Sequence, residues 1–394
     1  MLTDKHNNLS EKQRGAATLI TSLILLVAMT IITIFAARSA LMEQKIFANE
    51  FRSKQAFEAA EAGLGYAIAY LLTAGGGDKD SDGIIDDVDV DNDSNIPNNT
   101  LANSSKYHVD LVDNSAGKFT NITVTSTGLS DDDSATAIVS QIVAIVPAIP
   151  DVPGNPLISK GAVSINGAAE IINPEGNATI WTGDNTVTFS GASGKTKIPD
   201  PSNPAVLIDS SDSNGLGPDV IAGDTNLSAL TDAQFFEAFM GTDKSSYQGS
   251  GQVREVAAAD AGNAYSAGTP GIDLAREEIL WVNGNPSLSG NVTVGCTVTV
   301  TGGNVCPSAN TKPVVLVIDG NLSGNGTVKV YGLVYITGDF AGSGNLEVTG
   351  AVIMEGDVTG TGSLNVTYDT SVLQAAGSIP LAAGSLAGSW HDFN

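Results

Sequence analysis

Positive charge is scarce in this chain: 18 Lys and Arg stand against 43 Asp and Glu, a net charge of −25 over 394 residues. Such a balance argues against nucleic acid or anionic membrane surfaces as partners. Histidine is scarcer still, with only His6, His108 and His391, far apart in sequence. No Gly-x-Ser-x-Gly, His-Glu-x-x-His or complete phosphate-binding P-loop occurs, so no catalytic constellation is visible and an enzyme is not expected. A parallel β-helix that binds or cleaves polysaccharide with surface aspartates has no such signature, and stays open as a minor reading. Cysteine is limited to Cys296 and Cys306, with no His nearby, which favours a disulfide between the two over a metal site.

What the chain does have begins at its amino end. Residues 1–15 form a short polar leader with Lys12 and Arg14 close to its end, and from Ala16 to Ala37 no side chain is ionisable. Those 22 residues, as a helix, reach about 33 Å, enough to cross a bilayer. The basic leader should stay on the cytoplasmic side. No A-x-A-like site follows the apolar run; the processing signal stands before it, at Arg14-Gly15-Ala16. An uncleaved single-pass anchor is the plain alternative.

The stretch QRGAATLITSLILLVAMTIITIFAARSALMEQKI, followed by FRSKQAFEAAEAGLGYAIAYL, resembles the N-terminal region of PilX-type minor pilins. The resemblance covers roughly residues 11–72, and more weakly DAQFFEAFMG and the C-terminal GSWHDF. It implies cleavage between Gly15 and Ala16 by a prepilin peptidase, methylation of the new terminus, and assembly with other pilins through the N-terminal helix. Major pilins carry Glu as the fifth mature residue; here that place holds Ile20. An initiating or tip subunit of a type IV pilus is then implied rather than a shaft subunit, with surface attachment as a consequence. A pseudopilin of a type II secretion system is the runner-up.

The helix should run over 16–74, with Phe47, Phe51, Phe57, Ala60, Leu64, Ile68 and Leu71 as an apolar stripe, and stop at Gly75-Gly76-Gly77. Residues 75–97 are acidic. Asp78, Asp80, Asp82, Ile84 (through its carbonyl), Asp86 and Asp89 fall at places one, three, five, seven, nine and twelve of a calcium loop, with Gly83 at the sharp turn. The expected cofactor is Ca²⁺. Asp89 replaces the usual bidentate Glu and no second amphipathic helix follows, so the segment resembles overlapping aspartate repeats more than an EF-hand; a self-repelling acidic linker is the alternative.

Period-two patterns over 104–148 predict an antiparallel meander, and three prolines in 149–156 mark a linker. Residues 157–370 then hold a repeat. Gly284, Gly302, Gly320, Gly338 and Gly356 lie 18 apart, preceded by Val282, Val300, Ile318, Ile336 and Met354, and before those by Leu280, Val298, Leu316, Val334 and Val352. This predicts a β-solenoid of 18-residue coils, against a β-sandwich with glycine-rich hairpins. The second coil is defective, with Asn310 and Lys312 at apolar places, and it contains both cysteines. An inserted region, 198–276, carries a capped helix at Thr231–Gly241 expected to cover an end or flank of the stack, or to grip a partner helix; 371–394 is a tail. The fold class is α+β: a long membrane helix, a small antiparallel sheet and a solenoid.

Overall fold

The computed structural model describes residues 8–72, 100–113, 121–167, 169–190, 194–266, 269–359 and 362–393. A long apolar N-terminal helix leads into a mostly β region built of several sheets, none closed into a barrel.

Helix α1 spans Asn8–Leu71 and divides sharply in its surroundings. From Ala17 to Lys54 it is exposed apart from half-buried Ala48 and Arg52; from Gln55 it lies on a sheet. That sheet is made by Lys106–Asp113 (β1), Asn121–Leu129 (β2) and Thr136–Pro147 (β3), all antiparallel. Alternation sends Tyr107, Val109, Leu111, Ile122, Val124, Val139, Val143 and Ile145 inward onto Ala60, Leu64, Ala67 and Leu71. The expected stripe holds from Phe57 onward, but Phe47 and Phe51 are 68% and 62% exposed because they precede the docked segment. Small side chains set the contact. Ala56, Ala59, Ala60 and Ala67 are fully buried, and a Cβ on Gly128 of β2 would lie 2.0 Å from the Ala56 carbonyl oxygen.

The second unit is a three-faced parallel stack. Leu157–Ser159 (β4), Val163–Ile165 (β5) and Ile171–Ile172 (β6) make one turn, and Ile180–Thr182 (β7), Val187–Phe189 (β8) and Thr196–Asp200 (β9) the next. β4 pairs with β7, β5 with β8 and β6 with β9, each parallel. Asn203–Ser211 (β10) folds back antiparallel on β9, and Val220–Ile221 (β11) adds to β7. Helices Thr225–Ala229 (α2), Asp232–Met240 (α3) and Lys244–Gln248 (α4) then carry the chain to Val253–Ala257 (β12), followed by the small hairpin of Tyr265–Ser266 (β13) and Thr269–Pro270 (β14).

From there the chain climbs back through Ile279–Asn283 (β15), Ser287–Leu288 (β16), Asn291–Val294 (β17), Val314–Asp319 (β18), Ser323–Gly324 (β19), Thr327–Ile336 (β20), Asn345–Met354 (β21) and Ser363–Thr367 (β22). Along one face the strands run β12, β15, β18, β20, β21, β4, β7, β11, all parallel. The last turn therefore stacks on the first: Val352 pairs with Leu157 and Val366 with Ile171. A corner ladder crosses the same seam, with Asn321 Oδ1 accepting the Asp339 N–H, Asp339 Oδ1 that of Asp357, and Asp357 Oδ1 that of Ala162, each at 2.8 Å.

The 18-residue offset is observed from Val314↔Gly332 onward through β20, β21 and β22. It fails one step earlier. Ile279 pairs with Val315 and Val292 with Val328, an offset of 36 in each case, so one whole repeat is skipped. Residues 295–312 do not enter the stack; they are looped out, with Lys312 N–H donating back to the Gly295 carbonyl at 2.9 Å. The expectation that Val298, Val300 and Gly302 belong to a stacked coil is thus corrected. Seating that coil would place Asn310 and Lys312 in the apolar interior, and an unpaired buried ammonium is more costly than ejecting the turn.

Both sides of the main face are buried, which explains runs such as VVLVID and GLVYI that do not alternate. Leu280, Val282, Leu316, Ile318, Val334 and Ile336 point to the interior, whereas Trp281, Val315, Val317, Leu333, Tyr335 and Ile353 lie under Phe235, Phe236 and Met240 of α3. α3 starts with Thr231 and Gln234 capping one another and covers the flank. Residues 371–394 are more than a tail. Thr370–Gly377 (α5) packs Leu373 and Ala376 on that flank, and Pro380–Ser385 (β23) and His391–Phe393 (β24) both pair antiparallel with β3. The stack is consequently inserted between β3 and β23, whose adjoining ends meet where Ala148 N–H donates to the Ile379 carbonyl at 2.7 Å.

Gly128→Ala tests the close docking of α1. The added methyl must push helix and sheet apart, so urea denaturation of the detergent-solubilised full chain should show a loss of about 1–3 kcal/mol; an unchanged midpoint would contradict the packing described.

Candidate functional site

The exposed length of α1 is the first feature with an evident use. Its most apolar 18-residue window has a mean hydropathy of 2.6 and none of it is buried. Leu23, Leu26, Met29, Ile32 and Phe35 lie open to the surroundings, and beyond Arg38 so do Leu41, Met42, Ile46, Phe47 and Phe51. Apolar side chains on all sides of a helix require an apolar medium or other helices around it. The Gly15–Ala16 bond is inside α1, and Ile20 is 56% exposed.

Polar and aromatic contacts fix the base of this helix to the head. Arg52 Nε lies 2.7 Å from Asp132 in the β2–β3 turn. The hydroxyls of Ser134 and Ser130, with the Ser134 N–H and Arg52, hold the Asp132 carboxyl well below the usual carboxylate range. Its contribution is present above the ordinary carboxylate pKa of about 4 and fades as pH falls further. Trp390, on the returning C-terminal segment, meets Phe57 edge-on with ring centroids 6.4 Å apart.

Cys296 and Cys306 form a disulfide at the root of the looped-out repeat. With Val300, Tyr331 and Val372 the two cysteines make a satellite apolar cluster. Polar contacts seat the loop on the stack: the Cys306 N–H donates to Tyr331 Oη at 2.7 Å, the Val300 N–H to Thr293 Oγ1 at 3.0 Å and Lys329 Nζ to the Asn304 carbonyl at 3.0 Å. Closing this loop contributes on the order of 2–3 kcal/mol by restricting the unfolded chain.

Under the helical cover, Glu355 is 8% exposed and touches Lys244 of α4 at 2.9 Å and Tyr335 Oη at 2.8 Å. Burial pushes its carboxyl above the ordinary range despite both partners, so its ionised form is tolerated rather than stabilising. This network ties α4 to the flank through a buried Glu355 carboxyl and a partly exposed Lys244, an arrangement suited to holding the cover in place.

Asp78, Asp80, Asp82, Ile84, Asp86 and Asp89 lie outside the described residues. Among the described residues no group of three His, Cys, Asp or Glu side chains is placed to hold a metal ion. Sequence reasoning missed the Arg52–Asp132 and Lys244–Glu355 pairs, because partners 80 and 111 positions apart leave no local pattern. It also missed Gly128 as a docking point, although a lone glycine inside a strand marks close backbone approach.

The family model described as PilX N-terminal matches residues 14–64. No curated protein matches the chain. Among solved structures, the competence-associated pilin ComZ from Thermus thermophilus matches at 14% identity, over 87% of this chain and 97% of that one, with a TM-score of 0.26. At that score the two molecules do not superpose as wholes. The matched residues coincide with the exposed part of α1 and the start of its docked part, so this stretch is similar to the PilX N-terminal family and fits a single-pass anchor.

Proposed function

We propose that the chain is a minor-pilin-type structural subunit of a type IV pilus, without enzymatic activity, whose head displays a β-solenoid. The observation that carries this reading is the coincidence of the PilX N-terminal match at 14–64 with a helix exposed until it reaches its sheet. In this reading residues 1–15 are a leader, a prepilin peptidase cuts after Gly15, and Ala16 becomes a methylated terminus. Before assembly the helix holds the protein in the inner membrane with its head in the periplasm; afterwards it packs among other pilins in the filament. Ile20 at the fifth mature place lacks the carboxylate that would neutralise a neighbour's terminal amine, so the subunit initiates or tips the filament, and the stack it carries serves surface attachment.

Sequencing the amino terminus of membrane-extracted protein tests the processing step. The mature chain should begin at Ala16, and Gly15→Leu should leave the longer precursor in the membrane. A native chain that keeps its leader sinks the assembly reading.

We propose further that Asp78, Asp80, Asp82, Asp86 and Asp89, with the Ile84 carbonyl, bind calcium outside the cell. Between positions 78 and 93 eight aspartates face one lysine, and the carboxylates repel one another unless a further cation is present. Extracellular sites of this kind have dissociation constants of about 0.1–1 mM, so millimolar calcium fills them and cytosolic levels do not. At a tenfold excess the stabilisation is about 1.4 kcal/mol, a local ordering rather than folding of the head. Calorimetry on the solubilised full chain should show uptake that Asp82→Ala weakens at least tenfold; equal uptake by both would reduce the motif to an acidic linker.

A further inference from the structure

Inward-facing side chains form columns through the stack, and one column changes character at its end. It runs through Val330, Val348, Val366 and Ile171, each in register with the next. The following two places, on β9 and β10, hold Thr196 and Ser211. Register partners share a face of the sheet, and Thr196 is fully buried while Ser211 is 1% exposed. Hydroxyls thus stand where aliphatic side chains fill the rest of the column.

A carboxylate lies next to them. The register of β10 on β9 shifts between Asp209 and Ser211, and the extra residue, Ser210, lets two consecutive serines turn toward one group. Ser210 Oγ donates to Asp219 Oδ1 at 2.5 Å, and Ser211 Oγ lies 3.5 Å from the same atom. Gly217 permits this approach, since a Cβ there would collide with Ser210 Oγ and Asp219 Oδ1. On the β7 side, the Thr179 N–H donates to the Asp219 carbonyl at 2.7 Å. Asp219 is 5% exposed, yet its Oδ2 has no hydrogen-bond partner, and neither do the hydroxyls of Thr179 and Thr196, both fully buried. The nearby ammonium groups are engaged elsewhere: Lys195 Nζ donates to the Gly167 carbonyl and Lys197 pairs with Glu170. A buried carboxylate oxygen with nothing opposite it is strongly unfavourable until a cation supplies the missing interaction.

We propose that the Asp219 carboxylate, with the hydroxyls of Thr179 and Thr196, holds a calcium ion that fastens the end of the stack. Every group in the set is an oxygen, which selects a hard cation over zinc or copper. Calcium accepts irregular sets of carboxylate, hydroxyl and water oxygens, whereas magnesium demands a near-ideal octahedron. One carboxylate among neutral oxygens makes a weak site, of the kind filled outside a cell. The ion would join the segment entering β7, strand β9 and the segment entering β11, three pieces that short ladders alone connect. The inference stands independently of the pilin reading and of the loop at Asp78–Asp89.

Terbium, a hard cation whose emission is excited through a nearby indole, tests this on the full chain in detergent. Trp181 of β7 stands in register with Ile221, two residues beyond Asp219. Measurements on the Asp82→Ala chain keep the acidic loop out of the comparison. That chain should show tryptophan-sensitised emission that calcium displaces at about 1 mM. Adding Asp219→Asn should cut the emission at least tenfold with an unchanged circular dichroism spectrum. Thr196→Val, which only extends the aliphatic column, should weaken terbium uptake at least threefold, and it decides the matter if Asp219→Asn fails to fold. Emission that is missing from the Asp82→Ala chain overturns the proposal, and when the native chain does emit it assigns that ion to the acidic loop. Emission equal with and without Asp219→Asn overturns it, as does undiminished uptake by Thr196→Val.

Discussion

The backbone ladder that joins the last turn of the stack to its first is the interaction on which the rest of the structure depends. Leu157 to Ser159 hydrogen-bond beside Val352 to Met354, although almost two hundred residues separate them in the chain. Because of this seam the chain enters and leaves the stack at one place. Pro147 and Pro380 can then pair across β3 and β23, and the sheet that holds α1 is completed by residues from the far end of the sequence. Without the seam, β23 and β24 would have no fixed position, and Trp390 would not reach Phe57. Closing so long a loop is entropically unfavourable but grows only slowly with length, so the many parallel pairs and the buried interior offset it.

The same seam explains the inserted region. A chain that starts in the middle of a stack and proceeds to one end must travel the full length of the stack before it can fill the other half. Residues 225–248 make that passage as three short helices, and the passage is used as cover. Phe235 and Phe236 press on Tyr335 with ring centroids 6.3 and 5.0 Å apart, and Phe236 on Trp281 at 5.9 Å. One segment solves a problem of connectivity and a problem of exposed apolar surface together.

Much of this was legible in advance where spacing along the chain reports spacing in space. The 18-residue repeat of glycine and branched aliphatics predicts which residues stack, and from Val314 onward the register agrees. The skipped repeat carries its own warning in Asn310 and Lys312, yet periodicity alone places Val298 and Val300 inside, because a repeat preserves phase whether or not its coil is seated. Val298 is 40% exposed, and Val300 is buried in the small disulfide cluster instead. The exposed length of α1 was plain from composition, but not the point where it meets the head, since that depends on small residues whose meaning appears only opposite Gly128. Pairings across the seam and the Lys244–Glu355 contact join distant positions, for which one sequence holds no local signal.

The central claim is that a pilin-type helix carries the parallel stack as a cargo inserted into its head sheet. Immunogold electron microscopy with antibodies raised against residues 157–367 tests this most directly, on filaments sheared from cells and on the cell envelope left behind. The account predicts gold on the sheared filaments, sparse and concentrated at their ends. Label confined to the envelope, with none on filaments that the same cells demonstrably make, would contradict it.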